Sequence, residues 1–303
     1  MRPCLLVFAA GRGTRMRPLT DHLPKAMLPI LDVPLIDLVL SRGGSVDWAE
    51  RFVNLSGPLP QLREHLTQNH CDVTTLQEGP GPIGQAATLQ RLLPQLAQTI
   101  LTYNCDLVAD LDPAMLLARH AEGKKSATLA VQRVASGADF TGQDGALRLV
   151  DRRRENAPGF VFLGAACFDR NLLDTRLDGS SPAGLTEALL RPVIDTGDVV
   201  LVEHAGYARD AGTPASYLAV NLDALHPERL RIDTPGTISP QGWYLGPGSS
   251  TGTAPGKGAV LLAGSRIEKG AKVTDCVVWP GCTVPSGARA SGGIWFLDRF
   301  LGV

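Results

Sequence analysis

The sequence has no long hydrophobic run and no excess of one charge. No apolar segment approaches the roughly 20 residues that a membrane-spanning helix needs. A short apolar run near the N-terminus leads directly into a glycine-containing loop, so we expect it to belong to the fold and not to be a signal peptide. The 29 basic residues nearly balance the 30 acidic ones, giving a formal net charge of −1. This balance argues against a nucleic-acid-binding protein that relies on broad phosphate neutralisation, but it leaves room for a local basic site.

The six cysteines are scattered along the chain, and no two of them have the CxxC spacing. A metal cluster or a disulfide framework is therefore not expected, and the thiols are predicted to be reduced, as in a cytoplasmic protein. The 303 residues are 44% hydrophobic and 19% charged, which is enough for a large core in one or two domains.

Two common phosphate-binding motifs are missing from the most distinctive stretch of the chain. This stretch begins with an apolar run over residues 5–8, which predicts a buried strand, and continues as Ala9-Ala10-Gly11-Arg12-Gly13-Thr14. It lacks GxxxxGK[ST], and Met16 stands where GxGxxG would need a glycine. A glycine-containing turn after a strand nevertheless exposes backbone N–H groups that bind anionic oxygens. Four cationic side chains lie in or just after the loop: Arg12, Arg15, Arg17 and Lys25. Phosphate is therefore the expected ligand.

The whole stretch resembles the signature of the sugar-1-phosphate nucleotidylyltransferases. The matching residues are Ala10-Gly11-x-Gly13-Thr14-Arg15-Met16-x-Pro18-Leu19-Thr20, followed by Pro24-Lys25-x-x-Leu28-Pro29. The resemblance implies that the loop wraps a nucleoside triphosphate, with Arg15 at the β- and γ-phosphates and Lys25 at the α-phosphate. The catalytic residues that it implies are Arg15, Lys25 and Asp106. The nucleotide-binding residues that it implies are Ala9, Ala10, Gly11, Arg12, Gly13, Thr14, Gln77, Glu78 and Gly84.

Apolar strands alternate with helical segments through the first hundred or so residues, which predicts a mostly parallel sheet covered by helices. We therefore expect an α/β fold with a Rossmann-like, mixed and mostly parallel sheet. The resemblance implies that this is the nucleotide-diphospho-sugar transferase fold. The predicted catalytic domain spans residues 1–230, and a smaller domain spans residues 231–303.

The C-terminal part of the sequence is rich in Gly, Pro, Ser and Thr, with single apolar residues between them. The aliphatic residues spaced by six are Ile267 and Val273, and then Val278, Val284 and Ala290. A period of six is typical of the hexapeptide β-helix, in which one aliphatic side chain per face stacks on the next coil. We expect a small left-handed β-helix-like domain of about three coils. The alternative interpretation is a glycine-rich disordered tail.

Two aspartates are candidate ligands for Mg²⁺, which prefers carboxylate oxygens. Asp106 follows an apolar strand, at the sheet edge where parallel-sheet proteins bind ligands, and Asp210 precedes a turn into a helix. Taken alone, either could be a turn former or a helix N-cap. The segments around them, Tyr103-Asn104-Cys105-Asp106 and Asp210-Ala211-Gly212-Thr213-Pro214-x-x-Tyr217, resemble the family's Asn-Gly-Asp and Asp-x-Gly-Thr-Pro-x-x-Tyr. The resemblance implies that Asp106 and Asp210 are its metal pair, with Cys105 in place of the usual glycine.

The base and the sugar stay open at this stage. The segments 77–78 and 83–86 match the part of the family that reads the base, but Gln85 stands where guanylyltransferase-like members have threonine. GTP, UTP and dTTP are all compatible with this pattern. On the sugar side, the resemblance implies that Asn104 and Gly164 bind the sugar phosphate. The family's sugar-phosphate lysine is missing, and an arginine within residues 152–154 is a candidate replacement, unless this run is a solvated turn.

The resemblance implies a Mg²⁺-dependent enzyme that converts a nucleoside triphosphate and a sugar 1-phosphate into an NDP-sugar and pyrophosphate, most similar to mannose-1-phosphate guanylyltransferases. One alternative is a uridylyl- or thymidylyltransferase acting on another sugar 1-phosphate, such as that of N-acetylmuramate or glucose. Another is a non-catalytic regulatory subunit that binds an NDP-sugar. An acyltransferase carried by the β-helix is disfavoured, because the solenoid is short. No nucleic acid or membrane partner is expected, and the C-terminal domain is a candidate surface for a homo-oligomer.

Overall fold

The computed structural model describes residues 2–142, 147–150, 155–178, 184–297 and 299–303. The chain forms two compact units. The first unit comprises Met1–Arg12, Val39–Leu107 and Leu111–Ala208, and the second comprises Gly13–Leu38, Val108–Asp110 and Arg209–Val303. The division of the chain at residue 230 stays a prediction.

A mixed sheet forms the centre of the first unit. The described strands, in sheet order, are Arg148–Leu149, Phe140–Thr141, Gly159–Asp169, Thr99–Asn104, Cys4–Phe8, Glu50–Leu55 and Val73–Gln77, while Ala127–Val134 pairs with both Gly159–Asp169 and Val199–Glu203. The run from Thr99–Asn104 to Val73–Gln77 is parallel throughout, and Gly159–Asp169 is antiparallel to its neighbours. The mixed α/β sheet confirms the predicted fold class.

Helices cover this sheet. They are Leu35–Arg42, whose first four residues belong to the second unit, and then Pro60–Asn69, Gln85–Leu92, Pro113–Gly123, Arg170–Arg176 and Arg191–Asp195. A π-helical turn, Thr186–Leu190, leads into the last of them, and 3₁₀ turns lie at Gly43–Ser45 and Leu93–Gln95. Every residue of Cys4–Phe8 is buried, as expected for a parallel strand covered on both faces.

The second unit contains a small β-helix-like solenoid. One of its sheets holds Thr237–Ile238, Tyr244–Leu245, Ala259–Leu261, Lys272–Val278, Arg289–Phe296 and Arg299–Gly302, and the other holds Ser250–Thr251, Arg266–Ile267 and Thr283–Val284. Tyr244 pairs with Val260, 16 residues further on, and Lys272 pairs with Arg289, 17 residues further on. All five aliphatic residues spaced by six in the sequence are at most 2% exposed. These observations favour the solenoid over the alternative of a disordered tail.

A helix of the second unit packs on this solenoid. The helix Pro214–Asp223 contacts Lys272–Val278 and Arg289–Phe296. It begins with a capping box, in which the Thr213 hydroxyl accepts from the backbone N–H of Ser216 and the Ser216 hydroxyl accepts from that of Thr213. The remaining elements are the hairpin Pro29–Ile30/Val33–Pro34, the strand pair Leu107–Ala109 and Ala208–Asp210, and 3₁₀ turns at Thr14–Met16, Leu19–Asp21 and Lys25–Met27. Within the described residues, no helix is long and apolar enough to cross a membrane.

Candidate active site

The start of the phosphate-binding loop is held by Asn54, which lies on the strand Glu50–Leu55. The Oδ1 atom of Asn54 accepts from the backbone N–H of Ala9 at 2.7 Å and of Ala10 at 3.2 Å. The Ser56 hydroxyl donates to the carbonyl of Ala10 at 2.5 Å. The backbone N–H groups of Ala9 and Ala10 therefore already donate to Asn54. Their binding of the nucleotide stays a prediction, and it would have to involve other atoms of these residues.

Asn54 continues into a buried network around Glu78. The Nδ2 atom of Asn54 donates to Glu78 Oε1 at 2.7 Å, and the Thr88 hydroxyl donates to the same oxygen. The other carboxylate oxygen, Oε2, accepts from the backbone N–H of Ile83 at 3.1 Å. Glu78 is only 8% exposed. Its carboxylate thus fixes the predicted base-reading segment from within, and its predicted contact with the nucleotide stays a prediction.

Sequence reasoning missed Asn54 and Thr88. A polar residue inside the otherwise apolar run Phe52-Val53-Asn54-Leu55 was the available signal, because a buried amide must find partners. Asn54 is 4% exposed and Thr88 is 0% exposed. We define the Asn54 network as Asn54, Ser56, Glu78 and Thr88.

The neighbouring predicted residues shape the same loop. Gln77 Nε2 donates to the carbonyls of Gly57 at 3.2 Å and Gly79 at 3.4 Å. The Arg12 guanidinium lies against Gly81, where a Cβ atom would be 2.7 Å from Nη2. Gly84, with φ of 98°, precedes the helix Gln85–Leu92. Around Gly11 there is open space, since a Cβ atom there would meet nothing within 4 Å.

The two residues predicted to bind the sugar phosphate lie side by side. Gly164 has φ of 90°, and a Cβ atom there would be 2.5 Å from Asn104 Nδ2. It lies within the register shift between Phe162 and Ala166. Gln85 Nε2 donates to Asn104 Oδ1 at 2.7 Å, so the residue that departs from the family pattern orients the Asn104 amide. The arginines at 152–154 lie outside the described residues.

Cys105 and Asp106 form the turn at the end of the strand Thr99–Asn104. The backbone N–H of Cys105 donates to the carbonyl of Phe8 at 3.2 Å, which ties together the ends of two neighbouring parallel strands. Cys105 is 5% exposed and its φ is not positive, so its backbone conformation does not require the family's glycine. Asp106 is half-buried at this edge of the sheet.

In the second unit, Gly13 opens the remainder of the loop. Its φ is 61°, and a Cβ atom there would be 2.8 Å from the side chain of Thr20 and 3.3 Å from that of Lys25. The Thr20 hydroxyl donates to the carbonyl of Gly13 at 2.8 Å. A 3₁₀ turn then begins at Thr14 and carries Arg15. Glycine is needed here both for the left-handed backbone and for the close approach.

Three of the predicted functional residues converge over Gly212. A Cβ atom on Gly212 would be 2.4 Å from Asp210 Oδ1, 2.9 Å from Arg15 Nη2 and 3.1 Å from Lys25 Nζ. Arg15 Nη2 lies 3.8 Å from Asp210 Oδ2, and both side chains are mostly exposed, at 66% and 60%. We name Arg15, Lys25, Asp210 and Gly212 the cationic cluster. Gly212 was not singled out as a site residue, although the Gly-Thr-Pro signal contains it.

The donor chemistry fits a hard divalent cation. Asp210 carries carboxylate oxygens, which are the ligands that Mg²⁺ takes together with phosphate and water. Asp106, in the first unit, carries the same group, and the pairing of the two as metal ligands stays a prediction. Asp210 Oδ1 borders the space over Gly212 that a Cβ atom would fill. The guanidinium and the ammonium beside it complement the negative charge of a metal-bound polyphosphate.

Comparison with known proteins places the chain in a family. The model of the family described as nucleotidyl transferase matches residues 5–226. The chain therefore belongs to the nucleotidyl transferase family and is an enzyme of the nucleotidyltransferase class, which confirms the resemblance found in the sequence.

Particular relatives share most of the chain. The mannose-1-phosphate guanylyltransferase of Mycobacterium tuberculosis is 23% identical over 95% of this chain and 81% of its own length. The UTP–glucose-1-phosphate uridylyltransferase of Synechocystis is 22% identical over 98% of this chain and 84% of its own length. Among solved structures, a protein assigned as a glucose-1-phosphate thymidylyltransferase from Bacillus anthracis, in complex with sucrose, has a TM-score of 0.60 and 16% identity. It covers 72% of this chain and 93% of that one. This last similarity bears on the fold alone.

Proposed function

We propose that this protein is a sugar-1-phosphate nucleotidylyltransferase, with GTP and mannose 1-phosphate as its favoured substrates and GDP-mannose and pyrophosphate as products. The observation that carries the proposal is the convergence of Arg15, Lys25 and Asp210 over Gly212. Membership in the nucleotidyl transferase family and the similarity to a guanylyltransferase over most of both chains support it.

The reaction is an in-line displacement at the α-phosphorus. An oxygen of the sugar phosphate forms a bond to the α-phosphorus, the bond between that phosphorus and the bridging oxygen to the β-phosphate breaks, and pyrophosphate leaves with the electron pair. The attacking oxygen is already ionised at neutral pH, so no general base is needed. The protein must hold two polyanions in line and stabilise the charge that develops.

Arg15 and Lys25 supply that stabilisation. The Arg15 guanidinium donates in a fork geometry that suits the leaving pyrophosphate, and the Lys25 ammonium is placed at the α-phosphate. Gly13 and Gly212 have no Cβ atom, which lets the side chains of Lys25 and Arg15 lie close against the backbone. The proposed nucleotide loop comprises Ala9, Ala10, Gly11, Arg12, Gly13 and Thr14. The residues proposed to lie near the nucleobase are Gln77, Glu78 and Gly84.

Asp106 and Asp210 are the proposed ligands of Mg²⁺. When bound, the ion supplies further charge stabilisation at the phosphates. The roles of the two carboxylates are to hold it and to set its place relative to the nucleotide. Asn104, oriented by Gln85, is the proposed donor to the sugar phosphate, opposite Gly164.

Two other functions are compatible with the same residues. A uridylyl- or thymidylyltransferase acting on glucose or N-acetylmuramate 1-phosphate would use the same groups with another base, and the similarity to a UTP–glucose-1-phosphate uridylyltransferase supports it. A non-catalytic NDP-sugar-binding subunit would retain binding without turnover. We further propose a cytoplasmic location and a homo-oligomer formed through the C-terminal domain.

The test is pyrophosphate release from four nucleoside triphosphates, each paired with mannose, glucose, N-acetylglucosamine or N-acetylmuramate 1-phosphate, in Mg²⁺. Turnover with GTP and mannose 1-phosphate would support these two as the substrates. Turnover only with another pair would identify that pair as the substrates instead. Nucleotide binding without any turnover would favour the regulatory alternative. Omission of Mg²⁺ should remove the signal.

A further inference from the structure

The turn between Pro29–Ile30 and Val33–Pro34 has an unusual backbone. Its two central residues, Leu31 and Asp32, have φ of 47° and 66°. Positive φ at both positions of a two-residue hairpin is the type I′ conformation, which favours Asn-Gly. Leucine is disfavoured there, so neighbouring groups must hold the turn.

The backbone of Leu31 is held on both sides. Its N–H donates to the buried Asn221 Oδ1 at 3.1 Å. Its carbonyl accepts from the Thr234 hydroxyl at 2.6 Å, and the Tyr244 hydroxyl lies 3.0 Å from the same oxygen. Asn221 belongs to the helix after the Gly-Thr-Pro turn, and Tyr244 belongs to the first coil of the solenoid.

The side chain of Asp32 enters that coil. Its Oδ1 accepts from the backbone N–H of Ala263 at 2.8 Å, and its Oδ2 lies 2.9 Å from the Tyr244 hydroxyl, whose single proton is shared between Asp32 and the Leu31 carbonyl. A Cβ atom on Gly246 would be 2.1 Å from Asp32 Oδ2. The coil therefore carries a glycine where this carboxylate lies.

The turn is the end of a segment that begins with Lys25. The 3₁₀ turn Lys25–Met27 leads to Leu28, whose carbonyl accepts from the N–H of Leu35 at 3.1 Å. The carbonyl of Pro29 accepts from the Tyr217 hydroxyl at 2.7 Å. Lys25 Nζ, at the other end, borders Gly212.

We infer that Asp32 and Tyr244 are positioning residues for Lys25, and that the solenoid is thereby a working part of the phosphate site. The inference rests on the role proposed above for Lys25. The contacts that define this role are all with protein groups. Both act through the backbone, because release of the turn would leave the Lys25 segment without its anchor to the solenoid.

Three variants separate positioning from general stability. Asp32→Gly removes the carboxylate while accepting the positive φ. Asp32→Asn keeps an acceptor for Ala263 and offers a donor to Tyr244. The matched control is Val284→Ala, which creates a cavity in the other sheet of the solenoid, where Val284 is 0% exposed.

We expect Asp32→Gly to lower kcat about tenfold relative to the unmodified protein. Asp32→Asn should keep kcat within about twofold of the unmodified value. Val284→Ala should lower the melting temperature while kcat changes less than about twofold. In a Lys25→Met background, Asp32→Gly should lower the residual kcat by less than about twofold, because coupled residues are not additive. An equal effect of Asp32→Gly in both backgrounds, or an equal loss of kcat in Val284→Ala, would overturn the inference.

Hydrogen exchange provides a readout that does not depend on activity. Asp32→Gly and Tyr244→Phe should speed amide exchange in residues 25–31 about tenfold, while Val284→Ala leaves it unchanged. A protein without turnover would refute the proposed function but leave this result measurable. Unchanged exchange in residues 25–31 would overturn the anchor itself.

Discussion

The Asn54 network and the cationic cluster differ in burial and in how their polar groups are paired. In the Asn54 network, every member is at most 8% exposed, and Asn54 uses both its oxygen and its amide nitrogen on protein partners. In the cationic cluster, Arg15 and Asp210 are more than half exposed and lie 3.8 Å apart. The network shapes the loop with buried polar groups, whereas the charges of Arg15 and Asp210 are in contact with solvent. We therefore expect stability and activity to separate between the two.

The largest expected effect is on turnover, from removal of the proposed metal ligands. Asp106→Ala and Asp210→Ala should each lower Mg²⁺-dependent turnover by about 10³-fold or more, because the charge on the phosphates loses its counter-ion site. Their melting temperatures should stay within about 2 °C of the parent, because Asp210 is exposed and Asp106 is only half-buried. Asp233→Ala, whose side chain is 98% exposed in the second unit, is the control. Full activity in either variant would contradict the metal assignment.

A smaller loss of activity is expected at Lys25. Lys25→Met keeps most of the aliphatic stem and removes the charge, so kcat should fall about 10²-fold from the loss of one charge-stabilising group. Steady-state kinetics measure the effect, and Lys269→Met, an exposed lysine of the solenoid, should leave kcat unchanged. A rise in KM with unchanged kcat would instead make Lys25 a ground-state binding residue.

The Asn54 network should respond in stability. Asn54→Ala removes one of the donors to the Glu78 carboxylate and leaves the amides of Ala9 and Ala10 without their acceptor, so the free energy of unfolding should fall by about 2–4 kcal/mol. Urea denaturation followed by circular dichroism measures this. Asn69→Ala, at an exposed helix end, should change it by less than about 0.5 kcal/mol. Equal stability of the two variants would show that the hydrogen bonds of Asn54 do not contribute to the free energy of unfolding.

The smallest effect concerns Asp32. Burial raises the pKa of Asp32 above its ordinary value, with partial opposition from the Ala263 N–H and the Tyr244 hydroxyl. The folded state thus favours the protonated acid, so the stability from this group is present below its unfolded pKa and is lost as the pH rises through its folded pKa. Asp32→Asn should raise the free energy of unfolding at pH 7, because it removes the partly buried charge. Thermal unfolding of both proteins between pH 7 and pH 4 measures this, and the gain in stability should shrink towards pH 4. A gain that grows on acidification would contradict a raised pKa of Asp32 in the folded state.

The sequence patterns predicted the long elements better than the short ones. The apolar runs at Cys4–Phe8 and Thr99–Asn104 are strands, as expected, because continuous burial marks parallel strands. The short hairpin strand Val33–Pro34 has no such signal, and the helix Leu35–Arg42 follows it directly. Two-residue strands depend on their partners and leave no periodic signal.

The same limit applies to the site. Arg15, Lys25 and Asp210 follow from motif spacing, but their convergence over Gly212 depends on how the segment 13–38 packs. The partners of Asn54 are 24 to 45 residues away in sequence, so no local pattern indicates them. The coil lengths of 16 and 17 residues also differ from three strict hexapeptides, which explains why Val273 and Val278 break the interval of six.

The Leu31–Asp32 turn finally has a consequence for the order of assembly. Its partners Asn221, Tyr244 and Ala263 lie 190, 212 and 231 residues further along the chain. Contacts of such separation form late, because long loops must close first. During synthesis the signature segment leaves the ribosome well before these partners, so its anchor is made only after they have followed. The segment that carries Lys25 thus gains its anchor to the solenoid late, although its motif is the most recognisable in the sequence.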